Sequence, residues 1–326
     1  KKDTIVDIFC IHFLLSYTPN QSQEVTIINK LEIQMTCKLC KSKHLTELKK
    51  IRIREGVFGN ITKEEFSIIQ CEDCGIQYLE PFPSSDEDYY SNDQYRSAYS
   101  PKELDPQEYF STAANLQLDY IAKTGLLIFK DKVVADIGCG AGVFLDLIKG
   151  VAKKTIAIEP TASYHKSLED RNHLVYDSLN NLDDNSIDII VNLDVIEHVD
   201  DPLKFFKDIR SKLNEYGDFF CLTPNINDIL MKLDIEDFDQ FYYRTVHLWY
   251  HSAKSFNWLA RESGFSFTEV SFLHKYDLSN VIGWLKERRP VGLSYATLFD
   301  ERLDLAWKAF LEEKGFADSL FLHAKK

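Results

Sequence analysis

Between Val133 and Ile148 an apolar stretch, Val133-Val134-Ala135, runs through Asp136-Ile137-Gly138-Cys139-Gly140-Ala141-Gly142 into Val143-Phe144-Leu145-Asp146-Leu147-Ile148, which is amphipathic. A strand, a glycine turn and a helix in that order make a ligand-binding unit. Glycine tolerates positive φ and leaves room for a ligand where a Cβ would stand. Such a unit needs a parallel sheet around it, and the downstream chain supplies one. Short apolar runs at Val133–Ile137, Thr155–Glu159, Leu174–Tyr176, Ile187–Asn192, Asp218–Thr223, Phe267–Leu273 and Leu320–Ala324 alternate with helical patterns. The expectation is an α/β fold with a seven-stranded, mostly parallel, doubly wound sheet. A helical insertion, about 278–314 and carrying Trp284 and Trp307, precedes the last strand.

The glycines alone do not separate one nucleotide-like ligand from another. Two acids do. Asp136 stands before the first glycine, where a pyrophosphate loop places little negative charge. S-adenosylmethionine has no phosphate and carries a cationic amino-acid head, which suits a nearby carboxylate. Glu159 ends the next strand, 17 positions after Gly142, where a carboxylate accepts hydrogen bonds from both ribose hydroxyls.

The block V-V-A-D-I-G-C-G-A-G, the strand I-A-I-E-P and the later D-I-I-V-N-L-D-V-I-E-H-V-D-D-P closely resemble class I S-adenosylmethionine-dependent methyltransferases, over about residues 111–326. The resemblance implies their Rossmann-like sheet and their methyl-transfer activity. It further implies that Asp136, Gly138, Gly140 and Gly142 shape the cofactor loop and that Glu159 holds the ribose. Asp177, Ser178 and Leu179 would border the adenine, and Asn192 and Leu193 would line the methionine end. A nicotinamide oxidoreductase, and a binding protein built on a vestigial methyltransferase fold, are the rival readings.

Asp194-Val195-Ile196-Glu197-His198 lies just past the fourth strand of the seven, at the carboxyl end where ligands of a doubly wound sheet collect. His198 could take a proton from an acceptor hydroxyl, since imidazole titrates near neutrality. With Asp194 and Glu197 it could instead bind a divalent cation, as in quinone-pathway O-methyltransferases with this E-H signature, or simply tether the loop. His247, in Arg244-Thr245-Val246-His247-Leu248-Trp249-Tyr250, is the third candidate catalytic residue beside His198 and Asp194. The aromatics of 241–250 read either as core or as an acceptor platform.

Upstream, Cys37-Lys38-Leu39-Cys40 and Cys71-Glu72-Asp73-Cys74 are two C-x-x-C knuckles separated by 30 residues. Two knuckles close a tetrahedral site with no open position, so the expectation is a structural Zn2+ in a ribbon over residues 35–80. An iron–sulfur centre or free thiols are the lesser alternatives. Seven cysteines, an odd number with four in close pairs, favour metal binding in a reducing, cytoplasmic setting over disulfides. The ribbon, with the trailing Gly75–Pro83 and Tyr89-Tyr90, resembles those of bacterial methyltransferases of glycan pathways. It is also similar to that of deoxysugar C-methyltransferases, whose C-terminal pattern is not matched here.

Residues 81–110, rich in Pro, Ser, Asp and Tyr, read as a linker or lid. Residues 1–34 read as a leader or non-native extension, with Met35 as the expected start. The apolar Ile8–Leu15 suggests a signal peptide, but no small-residue cleavage site follows. No apolar run is long enough to span a membrane. The net charge of -13, with no Lys/Arg-rich stretch, disfavours nucleic acid as a partner. The expected reaction is O-methylation of a small molecule, a sugar or nucleotide sugar, with a quinone-type or other metabolite as the alternative.

Overall fold

The computed structural model describes residues 35–55, 60–83, 106–292 and 297–326. The leader and most of the linker or lid lie outside the described residues. So do the side chains of residues 106–113 and of Glu236.

Seven strands form the large sheet: β4 (Val133–Ile137), β5 (Lys154–Ile158), β6 (Leu174–Tyr176), β7 (Ile187–Leu193), β8 (Leu213–Pro224), β9 (Phe267–Leu273) and β10 (Ser319–Lys325). Their spatial order is β6-β5-β4-β7-β8-β10-β9. The first five are parallel, and β10 pairs antiparallel with both β8 and β9. This is the doubly wound sheet expected above. The interior strands are continuous apolar runs because helices cover both faces: the side chains of Val134, Ala135, Ile189, Ile190 and Val191 are all buried. The chain leaves β4 toward β5 on one side and returns to β7 on the other, so the crevice opens at the carboxyl ends of β4 and β7.

Several of the helices start where local capping chemistry says they should. Nine are present: α1 (Pro106–Thr124), α2 (Val143–Ile148), α3 (His165–Asp170), α4 (Pro202–Lys212), α5 (Ile229–Lys232), α6 (Glu236–Tyr242), α7 (Ala253–Glu262), α8 (Leu278–Glu287) and α9 (Glu301–Lys314) among the described residues. Asp201 caps α4 by accepting from the Lys204 amide, with Pro202 at the first position. Ser252 and Ser255 form a reciprocal capping box for α7. The insertion expected at 278–314 resolves into α8 and α9. Val281 and Trp284 of α8 pack in one apolar cluster with Leu230, Ile235 and Phe238.

β8 begins five residues before the expected Asp218, because Leu213 already pairs with Ile187 across an irregular stretch. Along these residues the polar Asn214-Glu215 hides the strand from a periodicity argument.

The cysteine region is a three-stranded antiparallel sheet of β1 (Leu45–Ile51), β2 (Phe66–Cys71) and β3 (Gln77–Glu80). It is fused to the α/β body. Cys37, Ile69, Cys71, Cys74, Ile76 and Tyr78 share a single buried cluster with Ile196, Leu248, Trp249 and Phe256. Gln77 and Tyr250 exchange backbone hydrogen bonds, the Tyr243 hydroxyl donates to Gln77 Oε1 at 2.7 Å, and Ser252 Oγ donates to the Gly75 carbonyl at 2.8 Å.

Candidate functional site

Gly138, Gly140 and Gly142 all take positive φ, at 70°, 54° and 76°. A Cβ on Gly138 would stand 2.4 Å from Val195 Cγ2, and one on Gly142 2.4 Å from Leu168 Cδ2. Glycine is therefore demanded twice at each, by conformation and by space. The first contact also brings the loop after β7 against the loop after β4. Glu159, just past β5 and buried, anchors this cradle. Its Oε2 accepts from the Gly140 amide at 2.8 Å and its Oε1 from the Thr161 amide at 3.0 Å. Each oxygen keeps a second lone pair for a ligand hydroxyl.

Asp136 lies at the start of the loop, buried, with no ion pair among the described residues. Burial first, and the Glu159 charge second, lift its carboxyl well above the usual range. Asp177 is exposed and Ser178 caps a short turn by accepting from the Asn180 amide, while Leu179 is buried next to them. Leu193 ends β7, half-buried. Asn192 is fully buried inside the sheet. Its amide donates to the Ile137 carbonyl at 3.3 Å and its carbonyl oxygen accepts from the Cys221 thiol at 3.4 Å. Asn192, expected to line the methionine end, has its side chain engaged between strands.

Beyond β7 the chain divides into an exposed acid, a buried glutamate and a half-buried histidine. Asp194, at φ 55°, turns outward and faces Lys275 Nζ at 3.8 Å. Burial would lower Lys275, but the carboxylates of Asp194 and Asp318 overcome it and hold the ammonium above its ordinary range. Glu197 turns inward and accepts from the Thr223 hydroxyl at 2.9 Å, and burial, aided by Asp194, pushes its carboxyl up to about 8. His198 Nδ1 sits 2.7 Å from the Val246 carbonyl. A carbonyl only accepts, so Nδ1 carries the proton and Nε2 holds the lone pair. Burial and then the Arg244 guanidinium lower this imidazole to about 4. His247 is buried, its ring edge-on to His198 with centroids 4.6 Å apart, and burial depresses it strongly. Both rings are therefore neutral at pH 7.

Chain position suggested Asp194, Glu197 and His198 as one group. The atoms that gather within 4.8 Å of one another belong to Glu197, His198 and His247. The loop is also tied down: the Leu248 and Trp249 amides donate to the Glu197 carbonyl at 2.8 and 3.2 Å, and Trp249 Nε1 donates to the Val199 carbonyl at 2.7 Å. Thr223, Lys275 and Val246 were not legible as site residues. They lie 26 to 81 positions from Asp194–Glu197 and carry no motif, so only strand order could have pointed to them. Of the aromatics considered as an acceptor platform, Tyr243, Trp249 and Tyr250 are core, each no more than 3% exposed. Tyr250 is spent on the backbone of Arg244, donating to its carbonyl and accepting from its amide.

The four thiols of the ribbon converge. Cys37 and Cys74 sulfurs lie 3.8 Å apart, Cys40 and Cys71 3.4 Å, and all four within 4.8 Å of one another. Sulfurs about 2.3 Å from a tetrahedral zinc sit roughly 3.8 Å apart, so the donor set and spacing fit that ion. Among themselves the thiols compete: the Cys74 hydrogen bond draws Cys37 down to about 5, while that same bond, followed by burial, drives Cys74 up.

Comparison with known proteins agrees with this geometry. The family described as a methyltransferase domain matches residues 108–270, half of the chain. A probable S-adenosylmethionine-dependent methyltransferase of Mycolicibacterium smegmatis is 34% identical over 97 residues, 28% of this chain and 38% of that protein. The ubiquinone biosynthesis O-methyltransferase of Maricaulis maris is 29% identical over 33% of this chain and 46% of its own. The tRNA U34 carboxymethyltransferase of Campylobacter jejuni is 35% identical over 30% of this chain and 37% of its own. The match spans less than half the length of each of these relatives. With the doubly wound sheet, the glycine cradle and the acid behind it already in place, the chain belongs to the methyltransferase-domain family of S-adenosylmethionine-dependent enzymes.

Proposed function

We propose that this protein transfers the methyl group of S-adenosylmethionine to a hydroxyl oxygen of a small-molecule acceptor, of the sugar or nucleotide-sugar class. The observation that carries the reading is the contact between the two loops at the crevice. The glycine cradle, backed by Glu159, touches Val195, and Val195 is flanked by Asp194 and Glu197-His198. Donor and acceptor sites are thereby adjacent. Glu159 would hold the ribose. Asp136 would stand behind the cationic head, where a cation relieves an acid that burial leaves unpaired. Asp177, Ser178 and Leu179 would border the adenine. Bound S-adenosylmethionine supplies an already activated sulfonium methyl. What remains for the chain is to align the acceptor oxygen and take its proton, the work assigned to Asp194, His198 and His247. Support for a small acceptor comes from the charge of -13, which attracts no polyanion. The ribbon's resemblance to glycan-pathway enzymes favours a sugar. Within the ribbon, Cys37, Cys40, Cys71 and Cys74 would hold a structural zinc ion.

Two measurements test this. Calorimetric titration should show S-adenosylmethionine bound and NAD ignored; the reverse would overturn the reading. Label transfer from S-adenosylmethionine should then be assayed against nucleotide sugars, quinone precursors and bulk tRNA. Transfer to a nucleotide sugar is expected, and transfer to tRNA alone would reject the small-molecule acceptor.

A further inference from the structure

We propose that the pocket lined by Lys275, Tyr276, Asp277, Asn280 and Lys308 is a phosphate-binding subsite, and that it holds the phosphate of the acceptor. Binding of phosphate stands on these residues alone, whereas its place in methyl transfer rests on the function proposed above. Topology puts the pocket beside the crevice. β8 and β9 are both antiparallel to β10, so β9 runs with β8 and ends on the side where the crevice opens. Lys275 follows just beyond that end, and its Nζ stands 3.8 Å from Asp194. Asp194 adjoins the Val195 that meets the glycine cradle. The cavity measures about 90 Å3, and all five lining residues are polar. Sites for whole ligands run to roughly 300–1,000 Å3, so this one takes a single group of a larger molecule.

Two ammoniums set its chemistry. Lys275, its side chain 17% exposed, makes no side-chain hydrogen bond among the described residues. The carboxylates of Asp194 and Asp318 each lie 3.8 Å from its Nζ, near enough to keep it charged and too far to accept its protons. Lys308, on α9, has neither an ion pair nor a hydrogen bond among the described residues. Each ammonium brings three N–H donors to a pocket whose own acceptors are largely taken. Asp277 caps α8 by accepting from the Asn280 amide at 2.7 Å, and Asp304 accepts from the Leu278 amide at 3.2 Å. The start of α8 is thus closed by carboxylates, and the lysines rather than the helix end draw the anion. A phosphate presents several oxygens and can accept from both lysines together, which a lone hydroxyl cannot. Asp194 and Asp318 offset the charge of Lys275, so the surplus positive charge comes from Lys308. The net charge of -13 repels a long polyanion, but it does not bar one phosphate from a pocket holding two lysines.

Inorganic phosphate is the probe, titrated into the zinc-loaded full chain at fixed ionic strength and followed by its phosphorus resonance. It should bind saturably at one equivalent per chain, and glucose should not displace it. Lys308→Gln should weaken that binding roughly 10-fold, and Lys308→Arg, which keeps the charge, should largely retain it. Both variants should keep the melting temperature and the S-adenosylmethionine affinity, because Lys308 is half-exposed and loses no partner. Uptake without saturation, or equal binding by Lys308→Gln, would mean an adventitious ion only and would refute the subsite. With a nucleotide sugar that accepts label, phosphate should compete, and Lys308→Gln should raise KM by a similar factor with kcat little changed. An unchanged KM would overturn the role in acceptor binding. If phosphate binds as expected but no nucleotide sugar accepts label, the subsite stands and the proposed function fails.

Discussion

Glu159 serves the structure already, and in the proposed reading it serves the ligand with the same carboxylate. Its two oxygens already hold the Gly140 and Thr161 amides, so removing it loosens the cradle as well as any ribose contact. Glu159→Ala should therefore weaken S-adenosylmethionine by about 1–3 kcal/mol in calorimetry, and Glu159→Gln by less, since it retains an acceptor. An unchanged dissociation constant in the alanine variant would reject the assignment. His251 makes a different demand. Fully buried against Phe256, it is held at about 3, far below the usual 6.5, because burial penalises the imidazolium. A depressed folded pKa contributes stability above the unfolded value, and that stability is lost as pH falls through the folded one. Melting temperature should thus fall from about pH 6.5 toward 3, and His251→Asn should flatten that slope. A slope of equal steepness in the variant would show that other groups control acid unfolding. For turnover the proposed reading makes His198 the sensitive residue. Its replacement by alanine should cut the rate roughly 10²-fold with cofactor affinity intact, whether its Nε2 takes a proton or an ion.

At the scale of elements, the segment between α6 and α7 joins three parts of the molecule. Its Leu248 and Trp249 amides hold the Glu197 carbonyl, its Tyr250 pairs with Gln77 of the ribbon, and Ser252 reaches the Gly75 carbonyl. The Trp249 ring packs on Tyr78 and Phe82 at 6.2 and 5.2 Å, while its Nε1 holds Val199. The ribbon therefore buttresses the loop that carries Glu197 and His198. Cys74→Ser should lower the melting temperature and reduce turnover, but leave S-adenosylmethionine affinity nearly unchanged, because the glycine cradle stands on β4 and β5 rather than on the ribbon. Elemental analysis should find one zinc per unaltered chain and none in that variant. Zinc retained at the level of the unaltered chain would count against the four-thiolate site.

For the molecule as a whole, Met35–Lys326 form one compact unit, with the ribbon and the sheet in a common core. One core implies one cooperative transition. Scanning calorimetry should show ribbon and α/β body melting together, and chelation should shift the entire transition downward. Two separable transitions would show that the ribbon is an independent domain.

The seven strands, their mostly parallel character, the glycine loop, Glu159 and the four thiols were all legible in the amino-acid order. Each is a local pattern: apolar runs of strand length, glycines where φ is positive, cysteine pairs spaced for one turn. Contacts made across long sequence separations were not legible. Residue spacing placed Asp194 with Glu197 and His198, yet the positive φ at Asp194 sends it out to Lys275, and His247 comes in from a distant segment. The tyrosines of 241–250 read equally well as platform or core, and packing against the ribbon decided for core at Tyr243 and Tyr250. Local chemistry thus determined the fold and the cofactor loop, because backbone conformation and hydrophobic period act over a few residues. The make-up of the candidate acceptor site was decided only by tertiary structure, since it depends on which loops the sheet order brings together.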